Sequence, residues 1–235
     1  MDTLVVFALP FEAGEFCRRN GNASVFVAKA CGMNAIEAFR KHLDAMPAPP
    51  RRVVWAGFAG ALDPSLPVGE VFVVQRREKS KGAPLRGKEG RDDCLAGTDV
   101  SKDQLFSLNS SLLTRKLATI DFIADVAEKR KHFETTGSAA CDMEHAHAQE
   151  ICSERGIEFL GIRVISDDAE TPLPLPPMLF LALLEEHLSS LPPIVYLLTH
   201  PWKWLAFARL AGECRLARRN LTRALEKILQ LPSLM

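Results

Sequence analysis

Ile157-Glu158-Phe159-Leu160-Gly161-Ile162-Arg163-Val164-Ile165 runs without a break into Ser166-Asp167-Asp168. The run is short, largely apolar, β-branched in part and closed by polar residues, which predicts a strand covered on both faces. Immediately upstream, Gly137 to Cys141 reads as a strand and Asp142 to Arg155 as a helix. The stretch is therefore strand, helix, strand. Repetition of that order along the chain predicts a layered α/β domain with a largely buried sheet.

The same reading extends outward. Leu4 to Leu9 is another continuous apolar run, and Glu12 to Arg19 looks helical. Asn20-Gly21-Asn22 turns the chain into a strand over Ser24 to Ala30. Gly32-Met33-Asn34 is a loop before a helix over Ala35 to Met46, which Pro47 to Pro50 ends. Val53 to Ala56 predicts a third strand, running into Gly57-Phe58-Ala59-Gly60 as a small-residue turn where backbone can approach a ligand closely. Gly69 to Val74 predicts a strand. Gln75 to Asp93 is charged and glycine-bearing, and reads as an exposed loop with a solvated basic surface. Leu105 to Arg115 is expected as a helix, Ala118 to Ile123 as a strand and Ala124 to Phe133 as a helix. The C-terminal third is expected to be helical and broken by Pro192-Pro193 and Pro201. One domain over 1–235 follows, with a helical C-terminal extension from about residue 194.

With 235 residues the chain is long enough to bury a sizeable core. Lys+Arg and Asp+Glu are both 29, so no net field draws nucleic acid, and no nucleic-acid partner is expected. Six scattered cysteines suit reduced thiols in a cytoplasmic protein and offer no short-spaced zinc pair. His145 and His147 are two apart on a helix and make a poor metal pair, so no metal is expected. No phosphate-binding glycine motif points to a nucleotide cofactor. The N-terminal run reads as a buried strand and not a signal peptide, and no apolar stretch is long enough to predict a transmembrane helix.

Ligands in open α/β sheets collect at the carboxyl ends of strands. Glu12 follows the first predicted strand, Glu144 opens the helix after Cys141, and Asp167 closes the strand that began at Ile157. Three carboxylates at one sheet edge suit acid/base chemistry: one protonates a leaving group, another activates water, and their charge stabilises an oxocarbenium-like transition state. The plainer alternative is that Glu12 and Asp167 only satisfy helix N-termini.

Cys141-Asp142-Met143-Glu144, followed by Ile162-Arg163-Val164-Ile165-Ser166-Asp167, resembles the paired motifs of nucleoside phosphorylases and methylthioadenosine/S-adenosylhomocysteine nucleosidases. Ala8-Leu9-Pro10-Phe11-Glu12 is similar to that superfamily's first strand and glutamate. Ala56-Gly57-Phe58-Ala59-Gly60 with Leu66-Pro67-Val68-Gly69-Glu70-Val71 resembles its glycine-rich segment. The resemblance implies a three-layer α/β/α phosphorylase-like fold with a mixed, mostly buried central sheet. It implies cleavage of a purine N-glycosidic bond. By resemblance, Asp167 is the acid at purine N7, Glu144 holds the ribose hydroxyls, Met143 packs on the sugar and Glu12 activates water. Phe122 and Ile123 line the base pocket, and the backbone of Gly57, Phe58, Ala59 and Gly60 borders the substrate beside Ser166. Arg163 either orients a carboxylate or pairs with one structurally.

Trp55 and Phe58 stand where similar phosphorylases carry an arginine and a serine, so inorganic phosphate as co-substrate would need substitutes among Arg51, Arg52 or the basic residues of the 75–93 loop. Downstream, Asp168 to Leu184 is very apolar and favours a nucleoside with a hydrophobic 5′ substituent, or else is a core helix with a proline-rich start. Phe207, Leu210, Ala211, Cys214, Leu221, Ala224, Leu225 and Ile228 share one helical face. Arg215, Arg219, Arg223 and Lys227 form a basic stripe behind Trp202 and Trp204. Such a helix either lies on an anionic membrane surface or packs on the domain with a solvated basic face. This tail resembles hopanoid-associated phosphorylases, which release adenine from adenosylhopane. That resemblance implies a small-molecule or lipid-linked nucleoside substrate, which would account for both the apolar segment and the basic helix; the basic helix allows contact with the inner membrane face, and the superfamily resemblance implies a homo-oligomer. Methylthioadenosine, S-adenosylhomocysteine or futalosine hydrolysis are the enzymatic alternatives. A non-catalytic nucleoside-binding protein on the same fold is the alternative of another class.

Overall fold

The computed structural model describes residues 2–75, 113–184 and 191–229. Its centre is an eight-stranded mixed sheet, β1 (Thr3–Phe7), β2 (Val25–Val27), β3 (Arg52–Ala61), β4 (Val71–Val74), β5 (Leu113–Arg115), β6 (Leu117–Thr119), β7 (Ala140–Asp142) and β8 (Glu158–Asp167). The order is β2-β1-β3-β8-β4-β5, with β7 joining β3 to β6. β1, β3 and β8 run parallel, with Val5 opposite Val54 and Val54 opposite Leu160, while β4 is antiparallel to β8.

Seven helices are present among the described residues: α1 (Pro10–Arg19), α2 (Gly32–Ala45), α3 (Val126–Thr136), α4 (His145–Glu154), α5 (Pro177–Leu184), α6 (Leu191–Thr199) and α7 (Trp204–Leu229). The period-2 alternation of the central strands divides the core. Leu4, Val6, Val53 and Trp55 point to one face and pack with Phe39 of α2 and Ile151 of α4. Val5, Phe7, Val54 and Ala56 point to the other and meet Phe16 of α1 and Leu221 and Leu225 of α7. The result is the expected three-layer α/β/α arrangement around a mixed sheet.

Local chemistry fixes the helix ends. Pro10 occupies the first turn of α1, where its missing N–H costs nothing. α3 starts with a capping box, in which the Asp125 carboxylate accepts from Glu128 N and the Glu128 carboxylate accepts from Asp125 N. It stops at Gly137, whose φ of 59° is left-handed.

Several expectations need correction. Gly57 to Gly60 is not a turn but the continuation of β3, paired with β8 from Arg52↔Glu158 to Ala59↔Ile165 before a bulge at Ala59/Gly60. Small residues occur there because carboxylates crowd the strand. A Cβ at Gly57 would lie 3.1 Å from Glu12 Oε1, and one at Gly60 would lie 3.2 Å from Asp167 Oδ2. Leu113 to Arg115, expected within a helix, is strand β5 beside β4; residues 105–112 of that predicted helix lie outside the described residues, as does the 75–93 loop beyond Gln75. The strand expected over Ala118 to Ile123 is only Leu117–Thr119, so Phe122 and Ile123 sit in a loop. Pro192 and Pro193 lie in the first turn of α6, so they mark the start of a new helix. In the tail, Ala217, Leu221 and Leu225 belong to the core. Arg215, Arg219, Arg223 and Lys227 are exposed.

Candidate active site

The carboxyl ends of β1, β3 and β8 and the start of α4 enclose a cavity of about 160 Å³. Glu12, Met143, Glu144, Ser166 and Asp167 line it, with Phe58, Ala59, Gly60, Phe122 and Ile123. Two expected residues do not. Gly57 lies behind Glu12, and Arg163 is sealed beneath the floor.

Glu12 is at the third position of α1, 4% exposed. Its Oε1 accepts from Phe58 N at 2.8 Å and its Oε2 from Leu9 N at 3.0 Å. Burial lifts its pKa to about 7, outweighing the two amides that lower it. The carboxyl is thus held at a pKa suited to taking a proton near neutrality. Glu144 sits at the N-terminal boundary of α4 and accepts from Gly32 N at 2.6 Å. Burial, and then the charge of Asp142, push its pKa upward.

Asp142 and Arg163 form a fully buried ion pair at 2.6 Å. Arg163 also donates to Trp55 O and Ile162 O, which commits its guanidinium to the floor and excludes it as a direct substrate contact. Asp142 in turn accepts from Thr119 Oγ1 and His145 N. The pair therefore pins the start of α4, and with it Glu144, to the central strand β8. A lone buried partner would be costly, so the two act as a unit.

Asp167 ends β8. Ser166 Oγ donates to its Oδ1 at 2.7 Å, and the Lys129 ammonium donates to its Oδ2. Lys129 also donates to Asp168 O at 2.7 Å. Lys129 is 3% exposed, lines the cavity, and was missed by sequence reasoning. It stands in the run Glu128-Lys129-Arg130-Lys131, where nothing marks it from its neighbours; only the packing of α3 turns it inward. Phe11, Leu173, Phe180 and Leu210 are further apolar walls not singled out from sequence. Cys141 and Cys214 also line the cavity, but burial and then the charge of Asp167 push each thiol up to about 12, so both stay neutral.

Arg51 and Arg52 cannot replace the missing anion ligands. They lie at the amino end of β3, where Arg52 pairs with Glu158 at 2.8 Å, away from the carboxylates at the other end. Among the described residues no three metal-ligating side chains cluster, and no helix is long and apolar enough to cross a membrane.

A layered mixed sheet with acids gathered at its carboxyl edge defines a class of α/β enzyme-like folds. Within that class, residues 114–191 match the family described as the phosphorylase superfamily. The fold is similar to the 5′-methylthioadenosine/S-adenosyl homocysteine nucleosidase (MTAN) of Campylobacter jejuni, at 16% identity and TM-score 0.59 over 97% of this chain and 99% of that one. It is similar to the futalosine hydrolase of Helicobacter pylori, at 15% identity and TM-score 0.60 over 97% and 98%. It is also similar to an MTAN from Chlamydia trachomatis bound to adenine, at 16% identity and TM-score 0.56 over 97% of each. No curated protein matches the chain in sequence. The sequence match is confined to residues 114–191, while the likeness of fold to these nucleosidases extends over nearly the whole chain.

Proposed function

We propose that the protein releases adenine from a 5′-substituted adenosine, with water as the nucleophile. The observation that carries this reading is the buried Glu12 carboxyl, fixed by two amides and held at about 7, in one cavity with Glu144 and Asp167. Glu12 takes a proton from water as the oxygen adds to the sugar C1′. The electrons of the broken C–N bond pass to the purine, and N7 takes a proton relayed through Asp167, whose carboxylate receives it from the Lys129 ammonium hydrogen-bonded to it. Glu144 holds the ribose hydroxyls and Met143 packs on the sugar. The Lys129 ammonium behind Asp167 keeps that carboxyl oriented and is the proton donor next in line.

Water is favoured over phosphate by charge. Among the described residues lining the cavity the only cation is Lys129, already shared between Asp167 and Asp168 O. A phosphate beside Glu12 and Glu144 would find no free cation among the described residues.

A second cavity of about 420 Å³ adjoins the first, sharing Asp167, Leu173 and Leu210 as walls. Pro172, Pro174, Trp202, Leu205 and Ala206 make it largely apolar, and its size is that of a small-ligand pocket. This favours a bulky apolar group at the 5′ position over a plain nucleoside. The resemblance of the tail makes adenosylhopane the long substrate to test.

The test is adenine release from 5′-methylthioadenosine, futalosine and adenosylhopane, with and without inorganic phosphate. Phosphate-independent release, fastest with the long apolar substrate, is expected. Release that requires phosphate and yields a sugar 1-phosphate would overturn the role of Glu12. Binding without turnover would establish a nucleoside-binding protein instead.

A further inference from the structure

The helical tail presents a surface that the fold does not use. Nine of the thirteen large hydrophobic side chains that are exposed among the described residues fall between Met178 and Leu205. Leu205 is 83% exposed, Met178 76% and Trp202 69%. Helix α6 reads Leu191-Pro192-Pro193-Ile194-Val195-Tyr196-Leu197-Leu198-Thr199, apolar nearly all round, yet Ile194, Val195 and Leu198 face out. A helix of that composition is ordinarily buried, so something covers it. It is docked firmly onto the start of α7, where Trp204 Nε1 donates to Leu197 O at 2.7 Å.

The charge pattern identifies the cover. The exposed charged residues of α7 are Arg209, Arg215, Arg219, Arg223 and Lys227, and none is acidic. Glu213 and Glu226 are turned inward and paired, with Arg209 and Arg19 respectively. Leu205 and Arg223 are five helical turns apart and so lie on one line of the helix. One end of this face is aromatic and apolar and the other is cationic, in a chain whose net charge is zero. A second copy meeting the basic row across a two-fold axis would bring cation against cation.

We propose that this face docks the protein on an anionic lipid bilayer, with α6 and Trp202, Trp204 and Leu205 sunk into the interface and the basic row of α7 on the headgroups. Tryptophan favours that depth, and each Lys or Arg near an anionic surface adds attraction. Trp202 and Leu205 are also walls of the 420 Å³ cavity that reaches Asp167. Docking therefore turns the mouth of that cavity toward the acyl chains, and an apolar 5′ substituent enters from the bilayer without crossing water. This last consequence rests on the proposed substrate class; the docking itself does not.

Flotation of the full chain with phosphatidylglycerol/phosphatidylcholine vesicles, against phosphatidylcholine alone, tests it without any substrate. The protein is expected to float with the anionic vesicles, and its tryptophan emission to shift to the blue. Trp202 and Trp204 report this shift, since Trp55 is buried already. The double variant Ile194→Ser/Leu198→Ser and, separately, Arg219→Glu/Arg223→Glu should each weaken vesicle binding by about tenfold or more. Both should release adenine from a short, soluble nucleoside at the wild-type rate, which separates loss of docking from loss of the active site. Failure to float, or flotation unchanged in both variants, overturns the proposal. So does a lipid-free dimer that Ile194→Ser/Leu198→Ser converts to a monomer, which would make the face an interface between copies.

Discussion

Replacing Glu12 by glutamine removes the titrating group but keeps its shape. In the folded protein Glu12 titrates near 7, against 4.5 ordinarily. Between those values the native state holds a proton that the unfolded chain has lost, so stability falls as pH rises through that window. The loss is complete above about 7. At about 1.4 kcal/mol per pH unit it amounts to about 3 kcal/mol. The glutamine side chain cannot ionise, so the variant escapes this loss. It does suffer a fixed cost, because one of the two amides now served by carboxylate oxygens, Leu9 N or Phe58 N, faces an NH₂ group. That cost is the same at every pH. The informative quantity is therefore the change in ΔΔG between pH 5 and pH 8.5, measured by urea unfolding. It should move by about 3 kcal/mol in favour of Glu12→Gln. In parallel, wild-type kcat/KM for adenine release should climb to a plateau above about pH 7, and Glu12→Gln should lose that limb along with most of its activity. Parallel stability curves for the two proteins would falsify the account of Glu12 as a buried, reluctantly ionised base.

Other expectations follow from the same geometry. Lys129→Met deprives Asp167 of its ammonium partner and should lower kcat about 100-fold or more with little change in KM, a scale set by general acid catalysis; wild-type turnover would remove Lys129 from the mechanism. Gly161→Ala puts a Cβ 2.1 Å from His145 Cε1, and the buried imidazole has nowhere to go, so the melting temperature should drop by several degrees; an unshifted melt would show that α4 slides freely on β8. His145, whose Nδ1 has no hydrogen-bond partner among the described residues, is lowered by burial from 6.5 to about 4, so the stability it contributes is intact above 6.5 and is lost as pH falls through 4. Urea titrations of His145→Gln should show a flatter acid limb than wild type; coincident limbs would refute the assignment.

Much of this architecture was legible in the order of the residues. Leu4 to Phe7 and, Arg163 apart, Ile162 to Ile165 are apolar because helices cover both faces of their strands, and such runs advertise themselves. The inward face of α7 was readable from the spacing of Leu210, Leu221, Ala224 and Leu225, all of which are buried. The glycine-rich end of β3 was misread because its small residues follow from crowding by Glu12 and Asp167, side chains distant in sequence. Lys129 was invisible for the same reason. Its burial is a property of where α3 packs, and α3 itself has scarcely any amphipathic pattern, with Lys129 its one buried residue. For Arg163 the sequence offered a carboxylate partner without naming it, and only the fold reveals that Asp142 is the partner and that no part of the guanidinium remains for substrate.

The position of β3 in the sheet bears on how the chain is born. One of its edges is served early by β1, but the other waits for β8, which follows it by 106 residues, as the Arg52–Glu158 pair measures. At ordinary rates of protein synthesis that interval is on the order of ten seconds. Throughout it, a ten-residue strand bearing Val53, Val54 and Trp55 has an open edge. The nascent polypeptide is thus most prone to self-association before residue 158 is made, and a chain truncated near residue 150 should precipitate under conditions where the 235-residue chain does not.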